Sequence, residues 1–284
     1  MIKLIVLLLL YPMIGFTQTS LWTISKDGYV LYLGGTIHML SKQDYPLPTE
    51  FNRAFQRSAT VVFETNMEEA KTTAFGEQVT RLLTYPPGQS LKDNIKKQTY
   101  YQLQQFLATR NVPVEHFNQF KPGMVSLVLS VMELKRIGMD DIGVDQYFYN
   151  KAKQANKTTL YLETVEQQLT FLSNMGKGKE NEIIISTIKD LSQLEKAIKT
   201  IKQAWRTGNE SKMAKVTLSE MIRDYPEIYQ QLLVTRNNNW MPQIKNMLKT
   251  KPRELVLVGA LHLVGKQGLL QQLRQAGYQV ELFK

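Results

Sequence analysis

Gly34-Gly35-Thr36-Ile37-His38-Met39-Leu40 and, far downstream, Gly259-Ala260-Leu261-His262-Leu263-Val264-Gly265 carry the same local device twice. Each closes a run of strand-forming residues, Val30 to Leu33 in the first case and Leu255 to Val258 in the second. Short apolar runs bounded by glycine read as buried strands, and residues just past the carboxyl ends of strands in an open α/β sheet line the ligand crevice. Gly35 and Gly259 allow close backbone approach at that point. A histidine three residues on, His38 or His262, can then face a cleft, although either could merely hydrogen-bond its own turn. The chain has three histidines, and two of them share this context, which points to a shared site.

Working outward, Asp27-Gly28 lies between Leu21-Trp22-Thr23-Ile24 and Tyr29 to Leu33, a strong hairpin signal. Ala59 to Phe63 reads as another short strand, and it ends at Glu64. That carboxylate suits a site at a strand end, and equally the N-terminus of the helix that follows. Thr158 to Leu162 repeats the pattern and ends at Glu163, while Gly143-Val144-Asp145 opens a helix with Phe148 and Ala152 on one face. On composition alone, Asp145 and Glu163 each read as serving only their helices. Met124 to Ile137 reads as an apolar helix with Leu127, Val131 and Leu134 inward. His116, between Glu115 and Phe117, reads as a surface or packing residue.

Glu180 to Leu248 is the most helical stretch, with breaks at Gly208 and Pro226. Arg236-Asn237 interrupts its apolar face, and on composition alone such a pair is solvated. Glu254 to Val258, a helix over Gly268 to Ala276 and a strand over Gln279 to Phe283 give a βαβ-like close. The expected fold class is α/β (α+β), with a central mixed sheet carrying the two Gly-x-x-His strand ends. A large helical insertion is expected over about 66–155 and 165–250 of one domain, 18–284.

Lys3, the apolar Leu4 to Ile14 and the small residues before Gln18 have the layout of a secretory signal peptide over 1–17. An exported protein is expected, periplasmic or secreted, or membrane-anchored if the segment is uncleaved. With no cysteine there are no disulfides, and any metal must rest on His, Asp, Glu or Asn. The net charge of +10 is scattered among acidic residues, without an arginine-rich run or zinc-finger spacing. This argues against nucleic acid as a partner and leaves association with a membrane surface open.

At these residues the chain resembles the TraB/GumN family, which includes the TIKI proteins. The resemblance runs from about Leu21 to the C-terminus through GGTIHML, Tyr45-Pro46-Leu47-Pro48, Val62-Phe63-Glu64, Lys121-Pro122, Gly143-Val144-Asp145, Leu162-Glu163-Thr164 with Gln168, Arg236-Asn237 and VGALHLVG. Gly123, where an aromatic often follows Lys-Pro, and Thr65-Asn66, where an acidic residue is frequent, depart from the pattern. The resemblance implies a metal-dependent hydrolase, with the TIKI branch acting as proteases on peptides. It places the Gly-x-x-His motifs on Gly35/His38 and Gly259/His262 and the family's glutamate on Glu64. His38 and His262 are then expected metal ligands, with Glu64 a third ligand or the general base, for Mn, Co or Zn. Asp145, Glu163, Gln168, Arg236 and Asn237 become supporting or substrate-binding candidates, with Arg236 able to clamp a carboxylate. The fold also looks similar to that of ChaN-like haem-binding lipoproteins, so the competing expectation is a non-catalytic protein that binds haem or a small ligand.

Overall fold

The computed structural model describes residues 19–284, and the leader expected over 1–17 lies outside them. The strands are β1 (Leu21–Lys26), β2 (Tyr29–Thr36), β3 (Met39–Leu40), β4 (Thr60–Phe63), β5 (Asp141–Ile142), β6 (Thr158–Tyr161), β7 (Glu254–Gly259) and β8 (Gln279–Leu282). Six of them form one mixed sheet in the order β6-β4-β7-β2-β1-β8, and β3 pairs with β5 apart from it. The expected α/β class is therefore observed.

Asp27 and Gly28 take φ of 51° and 83°, the two left-handed residues that a type I′ hairpin turn needs. The hairpin registers β1 against β2 from Leu21↔Gly34 to Lys26↔Tyr29. β2, β7, β4 and β6 are mutually parallel, so their carboxyl ends open on one edge of the sheet. Every residue of β7 is buried, as its unbroken apolar run between two parallel neighbours demands.

The strand–helix–strand close is present, but β8 is not the neighbour of β7. The helix Leu269–Gln275 carries the chain past β2 and β1, and β8 pairs antiparallel with β1 at the far edge. Both flanks of β7 are already taken by β2 and β4, which leaves the free edge of the hairpin for the last strand.

Helices cover the sheet and extend beyond it. Thr49–Arg57 and Val144–Gln154 bring Phe51, Phe55 and Phe148 together over the sheet. Away from the sheet, Leu91, Leu103, Leu107, Val125, Leu129 and Ile184 form a second core. Helix Pro122–Arg136 does not turn Leu127 inward as the apolar pattern suggests. Leu127 is exposed, and Val125, Ser126, Leu129 and Glu133 face the interior. Ser126 bonds Thr187 and Glu133 bonds Arg110, partnerships that an apolar period cannot register. Gly208 and Pro226 break the long helical stretch as expected. Among the described residues no helix is long and apolar enough to cross a membrane.

Candidate active site

The four parallel strands deliver the site. β2 runs into His38, β4 into Glu64, β6 into Glu163, and β7 into Gly259 and the short helix Ala260–Leu263 that carries His262. Gly35 lets that helix sit against β2, since a Cβ there would lie 3.1 Å from the Ala260 Cα. A fifth element, the helix Thr235–Met247, crosses the strand ends with Arg236, Asn237 and Trp240 buried. It is preceded by a π-helical turn, Gln230–Val234, in which the Thr235 N–H reaches the Gln230 carbonyl. Such widened turns concentrate at functional sites.

Arg236, 5% exposed, has every N–H engaged. Its Nε donates to both oxygens of Glu163 at 3.1 Å. Its Nη2 donates to Glu163 Oε1 and Glu64 Oε2, both at 2.6 Å. Its Nη1 donates to the Leu232 carbonyl at 3.3 Å and to His262 Nε2 at 3.0 Å. The bidentate clamp expected of Arg236 is formed, and the carboxylate it holds is the chain's own Glu163.

His262 is fixed just as fully. Asn237 Nδ2 donates to the carbonyls of His262 (3.1 Å) and Gln267 (2.9 Å), which orients its Oδ1 toward His262 Nδ1 at 2.7 Å. That nitrogen carries the proton, and the remaining lone pair on Nε2 accepts from Arg236. Burial pushes the imidazole down to about 3, so it is neutral at physiological pH. Trp240 packs over its ring at 4.4 Å between centroids and donates from Nε1 to Glu163 Oε2 at 3.1 Å.

The opposite side of the site is open. His38 has a side chain 62% exposed, its Nδ1 lies 3.1 Å from Asp145 Oδ1, and its Nε2 is turned toward Gly259. Asp145 pushes this imidazole up to about 9, against the downward pull of desolvation. Glu64 Oε1 accepts the Gly259 N–H at 2.6 Å and keeps a second lone pair, while Gln168 Nε2 lies 3.4 Å from Oε2. Burial pushes the Glu64 carboxyl up, but the Arg236 guanidinium outweighs it and holds it at about 2. A methyl placed on Gly259 would lie 3.3 Å from both Glu64 Oε1 and His38 Nε2 and 3.7 Å from His262 Cδ2. The absent side chain leaves a cradle between an imidazole and a carboxylate.

A divalent metal held by His38, Glu64 and His262 does not fit this arrangement. His38 Nε2 and Glu64 Oε1 border the cradle, but the only lone pair of His262 faces a guanidinium. Among the described residues no three His, Cys, Asp or Glu side chains are grouped so as to hold an ion. Asp145, Glu163, Gln168, Arg236 and Asn237 all reach this cluster, whereas His116 is exposed in the turn Val114–Phe117. Trp240 was not legible as a site residue; its spacing of one helical turn from Arg236 is the signal that places it on the same face.

The model of the TraB/PrgY/gumN family matches residues 20–282. The uncharacterized protein YbaP of Escherichia coli (strain K12) is 23% identical over 244 residues, covering 86% of this chain and 87% of that protein. The Shigella flexneri YbaP gives the same figures. The metalloprotease TIKI1 of Danio rerio is 22% identical over 319 residues, covering 93% of this chain and 63% of TIKI1. No solved structure matches.

Proposed function

The chain belongs to the TraB/PrgY/gumN family, and from that membership and the site we propose that it is a hydrolase working at the cradle over Gly259. The observation that carries this reading is geometric: Glu64 Oε1 and His38 Nε2 both border the position over Gly259, each 3.3 Å from where a Cβ would stand. A carboxylate and an imidazole bordering one position can divide the work of base and acid between them. Glu64, ionised, accepts a proton from water. His38, charged beside Asp145, supplies one to the leaving atom. The water oxygen bonds to a carbonyl carbon, the bond from that carbon to the leaving atom breaks, and the protons lost by water and His38 end on Glu64 and the leaving group.

Arg236 and His262 do not touch the substrate in this scheme. Arg236 fixes the carboxylate of Glu64 from behind, His262 holds Arg236, and Glu163, Asn237 and Trp240 fix the two in turn. The substrate class is a peptide or another small carbonyl compound, supported by the name of TIKI1.

A second reading, the metal-dependent peptidase, is favoured by the shared aim of His38 Nε2 and Glu64 Oε1. Those two residues would hold Mn, Co or Zn, which would supply Lewis acidity. Haem between two histidines meets the same obstacle as a three-ligand metal site, because His262 has no lone pair to give.

The test is cleavage of a fluorogenic peptide library and of 4-nitrophenyl acetate by the wild type, His38→Gln and Glu64→Gln, with and without a chelator. Activity in the wild type that both variants lose supports the hydrolase. A wild type inert on every substrate, before and after adding Mn, Co and Zn, removes it. Loss on chelation with recovery on metal addition selects the second reading.

A further inference from the structure

We infer that Phe171 walls a subsite for an apolar side chain of the substrate, so that the protein selects peptides with a large apolar residue beside the cleaved bond; the inference rests on the hydrolase reading. Phe171 lies on the helix Val165–Asn174, which follows Glu163 and is opened by a capping box between Thr164 and Gln167. The helical period of 3.6 residues gives this helix three faces. Val165 and Leu169 are buried and pack with Leu172 against Leu83 in a small apolar core. Glu166, Gln167 and Thr170 are exposed. Gln168 and Phe171, three residues apart, share the remaining face, and that face meets the site. Gln168 Nε2 lies 3.4 Å from Glu64 Oε2, and the centre of the Phe171 ring lies 6.0 Å from the guanidinium carbon of Arg236.

Phe171 is half-buried and belongs to none of the three apolar cores among the described residues. Nor does Arg236 account for it. Trp240, fully buried, already stands 4.7 Å from the same guanidinium carbon, and 6.0 Å is the outer limit of cation–π attraction. A phenyl ring carries a large apolar area, and leaving part of it in water forgoes the stabilisation that a core position gives. Single exposed apolar side chains are common on protein surfaces, but this one stands at the rim of the site. Arg236 is one hydrogen bond from Glu64, and Glu64 borders the position over Gly259, so two side chains separate the ring from the reacting atoms.

Binding clefts combine apolar and aromatic walls with a few polar groups that fix orientation. Glu64, His38 and Gln168 are such polar groups, and Phe171 is the aromatic wall beside them. An extended peptide advances about 3.3 Å per residue, so a cleaved carbonyl over Gly259 brings a neighbouring side chain to this rim. An apolar side chain there covers the ring and removes both surfaces from water; an acidic one gains nothing from it. The structural alternative is that Phe171 only shields the Arg236–Glu64 ion pair, which would make it equally important for every substrate.

The test takes a fluorogenic peptide that the wild type cleaves, locates the cleaved bond by mass spectrometry, and varies each flanking residue through Phe, Leu, Ala and Asp. Wild-type kcat/KM should be about tenfold or more higher with Phe or Leu than with Ala at one of the two positions. Phe171→Ala should level that ratio by slowing the apolar substrates while leaving the Ala substrate nearly unchanged. Phe171→Leu, which keeps an apolar wall, should retain most of the preference. A wild type with no apolar preference overturns the inference, as does a Phe171→Ala that keeps the preference. A loss of equal size on every substrate also overturns it, in favour of shielding. If the wild type cleaves nothing, the hydrolase reading itself fails and takes this inference with it. An active wild type indifferent to the flanking residues sinks Phe171 alone.

Discussion

Arg236 Nη1 stands 3.0 Å from His262 Nε2 and occupies the one lone pair through which that imidazole could bind anything else. The protonated Nδ1 is taken by Asn237. His262→Gln places an amide oxygen where Arg236 can still find an acceptor. His262→Ala leaves both Arg236 Nη1 and Asn237 Oδ1 without it and opens a gap under Trp240. The alanine variant should lose about 2–4 kcal/mol of stability and the glutamine variant clearly less. Urea denaturation of the two beside the wild type checks this; equal losses would mean that the hydrogen bonds to the ring are unimportant.

Arg236 is the only cation bonded to the buried carboxylates of Glu64 and Glu163 among the described residues. Arg236→Met leaves two negative charges in a desolvated pocket, a loss of about 3–5 kcal/mol. Burial already pushes the Glu163 carboxyl up even with the guanidinium in place. Adding Glu163→Gln to Arg236→Met should therefore recover part of the stability. A double variant no more stable than the single one would contradict the account.

Gly259→Ala tests the cradle. The new methyl would be 3.3 Å from Glu64 Oε1 and from His38 Nε2, tight but not a backbone collision. The protein should fold, with an unchanged far-ultraviolet circular dichroism spectrum, while hydrolysis drops about a hundredfold because the methyl stands where water must enter. Gly143→Ala makes the contrast, since its methyl would lie 2.3 Å from the His38 carbonyl oxygen. That variant should disturb folding itself.

The sequence was most legible where chemistry and backbone pattern coincide. The Asp27-Gly28 hairpin, the strand ends at Glu64 and Glu163, and the paired Gly-x-x-His stretches could all be read because period and punctuation agree. Arg236-Asn237 could not be read from composition. A helix-borne Arg-Asn pair is ordinarily solvated, and here it is buried because carboxylates from two distant strand ends converge on it. Helix Pro122–Arg136 hid its inward face for the same reason: Ser126 and Glu133 are buried by partners 61 and 23 residues away. Long-range polar pairing leaves no local period. Only the family resemblance, which compares whole chains, pointed to Arg236 and Asn237 in advance.

Glu133 gives an acid-stability prediction away from the site. Its side chain is 1% exposed and bonded to Arg110 and Arg136. Burial pushes the carboxyl up, and the two guanidiniums more than offset it, so its pKa falls below the ordinary value. The ionised form is thus favoured by folding. This stability is present above about pH 4.5 and is lost as pH falls through the depressed value. Glu133→Gln should be less stable than the wild type at pH 7 by about 1–3 kcal/mol, and the gap should close toward pH 3. Thermal melts across that range measure it, and a constant gap would contradict the pairing.

His38 and Asp145 carry the opposite sign. The carboxylate pushes His38 up to about 9, above the roughly 6.5 of an unfolded histidine. The folded state therefore holds the proton more tightly. The resulting stability is complete below about pH 6.5 and disappears as pH rises through 9. Asp145→Asn removes the charge, so the His38 ring resonance should titrate nearer 6.5 by proton NMR. With three histidines in the chain, one exposed at position 116 and one buried and neutral at 262, the His38 signal is assignable by His38→Gln. The side chain is largely exposed, so added salt should lower the wild-type midpoint while leaving Asp145→Asn almost unmoved. A wild-type midpoint already near 6.5 at low salt would show that Asp145 orients the ring without charging it.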